Sequence, residues 1–373
     1  MLNRREFMKS IGAALTLCTV AGLARPGCLH AAEEELRGFQ PTKGLEEVMA
    51  RILYYASLAP SGHNTQPWAV RMIKPEELIV CQDPSRRLPA VDPAQRELIL
   101  SLGAFMENLN LAAAVHGFAA EIEVTATVPS ETDIARIRLK KTKASDYPLQ
   151  RLELRRTIRK GQLSEPIRQG DLKSLLAPAK GESFFFPVGS QEGKFLSEYA
   201  AESFAFQAHR KVAQEELSRW IRFSNTEAKR HRDGLTTATM DITGLTGLVV
   251  RLFLNSADAV KPSFVNQGIA LTRQLVQEGG GWIIITGSGA TVADLIESGR
   301  KFQRLALLSR ELGIGIHPMT QQIEEKEWTD KTTALVGGLT PQFVLRIGYV
   351  RDYPSPVSPR RPVEWFTSMA GKG

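Results

Sequence analysis

Cysteine is scarce in this sequence, and its scarcity excludes two classes of site. Only three cysteines occur among the 373 residues: Cys18, Cys28 and Cys81. No two of them have the spacing of metal ligands, and the six histidines lack such spacing as well. Cys81 lies in an apolar run that predicts a buried strand, where we interpret it as a small core residue. We therefore predict neither a disulfide framework nor a metal site.

The sequence also lacks a basic stripe with interleaved aromatic residues, which is typical of nucleic-acid-binding proteins. Its net charge is +7, but part of this excess lies in the first 31 residues, and the other basic residues alternate with acids. Such a mild excess suits an anionic cofactor or substrate as well as it suits a nucleic acid. We expect no nucleic-acid partner.

The N-terminal apolar run is shorter than the roughly twenty residues that span a membrane comfortably. The N-terminal run, residues 11–24, follows a basic stretch and precedes small residues, a pattern that predicts a signal peptide over residues 1–31. Arg4 and Arg5, followed by Phe7 and Lys9, resemble the twin-arginine export signal. We expect export to the periplasm with the twin-arginine machinery as a partner. An ordinary secretory signal and an uncleaved N-terminal membrane anchor remain open alternatives.

Short strands alternate with helices in the rest of the chain. Helical spacing of apolar residues begins at Leu45, and Asp92-Pro93 predicts the start of a second helix that ends before Gly117. Alternating runs predict half-buried strands with antiparallel or mixed pairing. We predict an α+β fold of two similar halves, divided as a lead-in at 32–43, a first half at 44–149 and a second half at 150–373.

The loop that follows the first predicted helix carries chemistry suited to a flavin. Pro60 ends the helix, Ser61 and Gly62 make a turn, and Asn64 and Gln66 add two carboxamides. Hydroxyl and amide groups match the alternating donors and acceptors of a flavin ring edge, and glycine permits close approach of the backbone. Composition alone favours a different interpretation, a polar turn between helix and strand.

The order of these residues is more specific than their composition. Residues 59–68 resemble the Ala-Pro-Ser-x-x-Asn-x-Gln-Pro-Trp motif of FMN-dependent nitroreductases. The resemblance implies FMN as cofactor, a nitroreductase-like fold, and contacts to the isoalloxazine from Pro60, Ser61 and Asn64, with Gly62 and Gln66 close by.

A second motif contains three arginines within five residues. Arg155, Arg156, Thr157 and Arg159 can grip a phosphate through charge-assisted hydrogen bonds, although a solvated helix face would have the same composition. The segment resembles the Arg-x-Ser-x-Arg/Lys element that binds the FMN phosphate in the family. Most nitroreductases have this element before the Pro-Ser loop, whereas here it follows the loop.

The inverted order implies that one chain supplies both sides of the flavin site. Ordinary nitroreductases are homodimers with the flavin between subunits, and the present arrangement resembles the internally duplicated, Acg-like branch of the superfamily. We therefore expect one FMN per chain and a monomer rather than an obligate homodimer.

Two later segments also resemble parts of the family. Pro318, Met319 and Thr320 match the loop that approaches the pyrimidine side of the flavin, where many relatives have Glu at the position of Thr320. Arg360 and Arg361 resemble a terminal arginine motif that closes on the FMN phosphate, with a disordered basic tail as the alternative. The segment Gly287-Ser288-Gly289 lacks the third glycine of a dinucleotide-binding loop.

The resemblance implies an oxidoreductase whose chemistry takes place on FMN. Hydride would pass through flavin N5 from a small-molecule donor to a nitroaromatic- or quinone-like acceptor, so we predict no catalytic side chain. An exported protein meets little NAD(P)H, which leaves a second hypothesis open. In that hypothesis the protein binds or sequesters FMN without NAD(P)H-dependent turnover, and residues 203–232 form a lid over the flavin.

Overall fold

The computed structural model describes residues 36–370, except positions 243, 245, 246, 248, 249, 252 and 253. The predicted signal peptide at 1–31 and residues 32–35 of the predicted lead-in lie outside the described residues. The described part combines helices with antiparallel and mixed sheets, which confirms the α+β class.

The helices and strands lie close to the positions that the sequence patterns predict. The longer helices and short helical turns of the described residues are α1 (Glu47–Ser57), α2 (Arg96–Val115), α3 (Gln150–Leu154), α4 (Gln169–Leu176), α5 (Gln191–His209), α6 (Lys211–Trp220), α7 (Asn225–His231), α8 (Ser256–Ala259), α9 (Pro262–Leu275), α10 (Val292–Ser309), α11 (Gln321–Glu324) and α12 (Lys326–Leu335). The strands are β1 (Trp68–Lys74), β2 (Glu77–Gln82), β3 (Phe118–Val124), β4 (Asp133–Lys141), β5 (Ser183–Pro187), β6 (Ile221–Arg222), β7 (Leu235–Thr236), β8 (Gly281–Gly287), β9 (Ile314–Pro318), β10 (Thr340–Tyr349) and β11 (Thr367–Met369).

The two main sheets repeat one topology. In the first half the strand order is β1-β2-β4-β3, with α2 between β2 and β3 along the chain. In the second half the order is β5-β8-β10-β9, with α10 between β8 and β9. All six neighbouring pairs in these two four-stranded units are antiparallel. The halves are therefore topologically equivalent, although β11 adds a parallel strand beside β1.

Helices α2 and α10 pack against each other through a reciprocal glycine contact. A Cβ atom on Gly103 would lie 2.2 Å from the Ile296 carbonyl oxygen, and one on Gly299 would lie 2.1 Å from the Leu100 carbonyl oxygen. Only glycine permits so close an approach of the two backbones. Beside this crossing, buried Glu107 accepts hydrogen bonds from Arg300 and Arg304. The apolar and mostly buried α2 is thus the central helix of a core that joins both halves.

The start of α2 differs from the sequence prediction. Asp92-Pro93 was expected to begin the helix, but the helix begins at Arg96, after a left-handed Gln95. The Asp92 carboxylate accepts a hydrogen bond of 2.9 Å from the backbone N–H of Leu98 instead. Asp92 therefore satisfies a free N–H group at the end of the helix without being its flanking residue.

Residues 188–280, here called the helical insertion, separate β5 from β8. They contain α5 to α9 and the short strands β6 and β7. In the first half the equivalent connection is the tight turn between β1 and β2. Cys81, near the end of β2 that is remote from this turn, is a buried free thiol, as the sequence predicted.

Candidate active site

A cavity of about 600 Å³ is lined by residues of both halves and of the helical insertion. Small-molecule sites commonly have volumes of about 300–1,000 Å³. The volume is thus sufficient for a small ligand.

Eight of the predicted flavin-contacting residues line this cavity. They come from three segments that are distant in sequence: the loop after α1, the arginine motif after α3, and the end of β9 with the loop that follows. These residues are Pro60, Ser61, Gly62, Thr157, Arg159, Pro318, Met319 and Thr320. The fold therefore brings three of the four motifs to one cavity.

Asn64 and Gln66 are buried beside the cavity but do not line it. The Asn64 side chain accepts from Arg360 Nη1 at 3.0 Å and donates to the carbonyl of Gly234 at 3.1 Å. The Gln66 side chain accepts from the backbone N–H of Arg361 at 2.9 Å and donates to the carbonyl of Arg232 at 2.8 Å. Both amides therefore join the loop to the C-terminal segment and the helical insertion, and their contact with flavin stays a prediction.

The backbone of the same loop is strained. His63, Asn64 and Gln66 have φ values of 47°, 52° and 53°, in the left-handed region that residues other than glycine seldom adopt. Such strain is concentrated at functional sites, where the surrounding structure holds it in place. Hydrogen bonds to the C-terminal segment and the insertion supply that support.

Three arginines distant in sequence form a buried group next to the loop, here called the arginine cluster: Arg37, Arg155 and Arg360. Arg155 Nη2 and Arg360 Nη2 both donate to the carbonyl oxygen of Leu58, at 3.5 and 3.1 Å. Arg360 also donates to the carbonyl of Ala59 at 3.1 Å. The predicted phosphate-binding arginines of two separate motifs thus meet where α1 ends.

The arginines of the cluster repel one another. Burial lowers the pKa of Arg155 to about 9 and that of Arg37 to about 10, and it lowers the pKa of Arg360 well below its ordinary value. Repulsion from Arg37 lowers the pKa of both Arg155 and Arg360 further. Nε of Arg155 and Nε of Arg360 are buried and have no hydrogen-bond partner in the described structure. Buried cations with free donors fit a phosphate group.

The arginine motif does not form a solvated helix face. Helix α3 ends at Leu154, and Arg155 adopts an extended conformation. Arg156 pairs with Asp241 at 2.6 Å, whereas Arg159 Nη1 donates to the carbonyl of Thr239 at 2.5 Å and lines the cavity. The motif therefore directs Arg155 into the cluster and Arg159 to the cavity wall.

Arg361 takes a structural position outside the cavity. Its Nη2 atom donates to the carbonyls of Gln66 and Trp68, at 2.8 and 2.6 Å. Arg156 and Arg361 are thus already paired within the protein, so a phosphate contact by either stays a prediction.

Two acidic side chains that motif matching did not select face each other in the cavity wall. Glu324 contacts Glu97 and accepts hydrogen bonds from Thr320 Oγ1 and Gln207 Nε2, both at 2.7 Å. Burial, followed by repulsion from Glu97, raises the pKa of Glu324 well above its ordinary value. The carboxyl group of Glu324 therefore tends to keep its proton.

Two histidines in the wall are held neutral. Burial lowers the pKa of His63 to about 4, against a smaller opposing effect of Glu97. Burial and the nearby Arg346 lower the pKa of His317 well below its ordinary value. Sequence reasoning treated the histidines as structural and missed Glu97, whose charge within the apolar α2 was the available signal. The cavity wall thus holds more titratable groups than the motifs indicated.

Two proteins with similar sequences have names that contain the word nitroreductase. No family model matches the chain. Over 352 residues the chain is 24% identical to a Mycobacterium tuberculosis protein named "Putative NAD(P)H nitroreductase Rv3131", covering 86% of this chain and 92% of that protein. A Serratia protein named "Probable NAD(P)H nitroreductase PigM" is 24% identical over 347 residues, covering 85% and 92%. At 24% identity, both proteins are distant in sequence from this chain.

Solved structures resemble the chain only remotely. The FMN-dependent nitroreductase NfnB from Mycobacterium smegmatis, solved with NADPH, has a TM-score of 0.37 at 15% identity and covers 59% of this chain and 96% of its own. A structure described as "a putative nitroreductase from anabaena variabilis" has a TM-score of 0.36 at 12% identity, covering 86% of this chain and 91% of its own. The sequence relatives support a place in the nitroreductase superfamily, as the motifs predicted, and do not bear on the duplicated branch or the export signal.

Proposed function

We propose that this protein is an FMN-dependent oxidoreductase of the nitroreductase kind. It passes hydride or electrons from a small-molecule donor to a nitroaromatic- or quinone-like acceptor. The observation that carries the proposal is the arginine cluster beside the cavity. Arg155 and Arg360 meet there with free, buried donors, next to a cavity wall that contains Pro60, Ser61 and Gly62.

Bound FMN would supply the redox chemistry through N5, and the protein would supply binding and electrostatics. Arg155 and Arg360 would hold the phosphate by charge-assisted hydrogen bonds. Arg159 and Lys160 line the cavity as cations, fixed through the carbonyls of Thr239 and Asp241. Positive groups near a ring that gains negative charge stabilise its reduced form. Burial keeps His63 neutral, so this histidine adds no positive charge to that of Arg159 and Lys160.

A second candidate function is FMN binding or sequestration without turnover by NAD(P)H. Contacts between the helical insertion and the rest of the chain favour it. Arg210 pairs with Glu325, Arg86 pairs with Asp233, and Glu216 accepts from the backbone N–H groups of Ala90 and Val91. A segment tied down in this way restricts access to the cavity, which extends the predicted lid at 203–232 to most of the insertion.

Export and assembly belong to the same proposal. We propose that residues 1–31 direct the protein to the periplasm through the twin-arginine machinery. We also propose a monomer with one FMN. Its support is that Arg155, Arg360 and the Pro60 loop, which ordinary nitroreductases divide between two subunits, lie together in one chain. The equivalent topology of the two halves supports an internal duplication.

Anaerobic titration tests the redox function and separates it from sequestration. The FMN-loaded protein is mixed with NADH, NADPH or dithionite while the visible flavin absorbance is followed. Bleaching by a nicotinamide supports the oxidoreductase, and bleaching by dithionite alone supports a flavin binder or a protein with another donor. Absence of flavin absorbance after incubation with FMN and gel filtration contradicts both.

A further inference from the structure

The helical insertion lines the cavity with a different chemistry from the rest of the protein. All four of the Asp, Glu, Lys and Arg side chains that line it in the described structure come from outside residues 188–280: Glu97, Arg159, Lys160 and Glu324. The insertion contributes mainly apolar side chains, including Phe204, Leu217, Ile221, Leu254, Phe264 and Leu271. The insertion therefore forms an uncharged and mainly apolar wall, here called the apolar wall. The opposite wall, here called the charged wall, is mixed, since Leu100, Phe302 and Phe343 accompany the four charged side chains.

Packing within the described part of the helical insertion does not close the apolar wall. Leu217, Leu254 and Phe264 pack on a small cluster of Ile221, Phe223 and Ala259. The first three are only half-buried and also line the cavity. Protein interiors usually leave few voids larger than a water molecule, because open apolar surface forgoes dispersion contacts. An apolar wall kept open in this way suits an apolar ligand.

FMN alone does not account for this wall. Its phosphate and ribityl chain require polar partners, which the arginine cluster and the charged wall provide. Its isoalloxazine has one apolar edge, whereas the apolar wall comes from α5, α6 and α9 and from the residues between them. A second molecule with an extended apolar part matches that surface.

We propose that the apolar wall receives an apolar chain carried by the electron acceptor, and that the acceptor is a quinone with an alkyl or isoprenoid substituent. This inference rests on the proposed function, because the acceptor reacts with FMN in the same cavity. Of the two proposed acceptor classes, quinones are the one that commonly carries long apolar chains. In the reaction the quinone gains a hydride from reduced FMN and a proton from solvent and leaves as the hydroquinone, while FMN returns to its oxidised form.

The first test compares two quinones that share one head group. FMN-loaded protein is reduced with one equivalent of dithionite without oxygen, then mixed with a dimethoxy-methyl-benzoquinone that either carries or lacks a decyl chain. Each buried methylene group strengthens binding about fourfold. We therefore expect the decyl compound to half-saturate reoxidation at a concentration at least about tenfold lower. Equal half-saturating concentrations overturn the proposal.

A matched pair of variants locates the effect on α6. Leu217→Trp fills the apolar side of the cavity, whereas Val212→Trp lies on the same helix, is 58% exposed and does not line the cavity. Leu217→Trp is expected to remove the advantage of the decyl chain, so that the two quinones half-saturate reoxidation at similar concentrations. Val212→Trp keeps the advantage. Leu271→Trp on α9 is the second filling variant if Leu217→Trp does not fold.

Thermal denaturation of the FMN-free protein separates this proposal from the flavin assignment. The decyl quinone is expected to raise the melting temperature of wild-type protein and of Val212→Trp, but not that of Leu217→Trp. The chain-free quinone leaves all three unchanged. This pattern supports the apolar wall even if FMN does not bind, in which case only the proposed redox function fails. Equal shifts with both quinones, or none, overturn the proposal.

Discussion

The two halves of the molecule share a strand order but differ in one connection. Between β1 and β2 the chain makes a tight turn, whereas between β5 and β8 it makes the helical insertion. The insertion supplies much of the cavity wall, and the arginine cluster uses Arg155 and Arg360 next to the loop of the first half. One long connection therefore gives two sheets of equivalent topology a single asymmetric site. Substitutions can disturb either the shared sheets and their central helices or the asymmetric site.

The largest effect is expected where the shared frame is tightest, at the crossing of α2 and α10. Gly103→Ala forces a Cβ atom to within 2.2 Å of the Ile296 carbonyl oxygen, and the overlap should lower the free energy of unfolding by about 3 kcal/mol. Urea denaturation of the FMN-free protein measures it. The control is Gly170→Ala in α4, where a Cβ atom meets nothing within 4 Å and a gain of up to ~1 kcal/mol is expected. Similar changes in the free energy of unfolding for both substitutions would contradict the close contact between α2 and α10.

The next largest effect concerns FMN affinity. Arg155→Met removes a buried cation from the proposed phosphate site, so affinity should fall on the order of 10- to 100-fold by fluorescence titration. The free energy of unfolding without FMN should stay the same or rise, because the variant removes repulsion toward Arg360 and only one long hydrogen bond. If Arg155 only stabilised the fold, the substitution would leave FMN affinity unchanged and would lower the free energy of unfolding. Arg168→Met, at an exposed ion pair, should change neither quantity.

A smaller effect follows from the carboxyl group of Glu324. Its raised pKa means that the folded protein holds a proton that the unfolded chain has already released, so this group lowers stability as pH rises above the ordinary glutamate pKa. Glu324→Gln cannot ionise, and its stability relative to wild type should therefore increase from pH 5 to pH 8, by on the order of 1 kcal/mol for each unit of pKa shift. Melting curves at both pH values measure it. Exposed Glu327→Gln is the control. A difference in stability between Glu324→Gln and wild type that does not change with pH would contradict the raised pKa of Glu324.

The smallest effect is expected at the contacts of the helical insertion. Glu325→Gln weakens the ion pair with Arg210 and the hydrogen bond from Gln207, and FMN should dissociate about fivefold faster if the insertion covers the cavity. Stopped-flow fluorescence after dilution measures the rate. Asp330→Asn, which removes an exposed pair with Lys326, should leave it unchanged. Equal rates for both variants would mean that the insertion does not limit exit.

Much of the fold was predictable, because buried apolar residues recur in the sequence with the period of a helix or a strand. The alternating runs around Trp68 and Ile137 and the helical spacing after Leu45 correspond to β1, β4 and α1. The start of α2 was misplaced because Asp92 reaches the helix from four residues before it, a contact that local sequence rules do not contain. The strand order could not be read from local patterns, since it depends on pairing between distant segments.

Some residues of the candidate site were predictable from the sequence, and others were not. Resemblance to two family motifs predicted that Arg155 and Arg360 bind the same phosphate, and the two arginines share the carbonyl of Leu58. The motifs did not predict Arg37 in the cluster or Glu97 opposite Glu324, because neither residue stands in a matched motif and each pairing is set by tertiary packing. The apolar wall of the insertion was also missed. Its side chains have the composition of an ordinary core, and only the structure distinguishes a filled core from an open wall.

The most direct test of the account is the ratio of FMN to protein in particles of known mass. The purified chain is saturated with FMN, freed of excess, and examined by flavin absorbance together with light scattering. We expect one FMN in each single-chain particle, because the arginine cluster and the Pro60 loop come from the same chain. Particles without flavin, or flavin found only in two-chain particles, would contradict it.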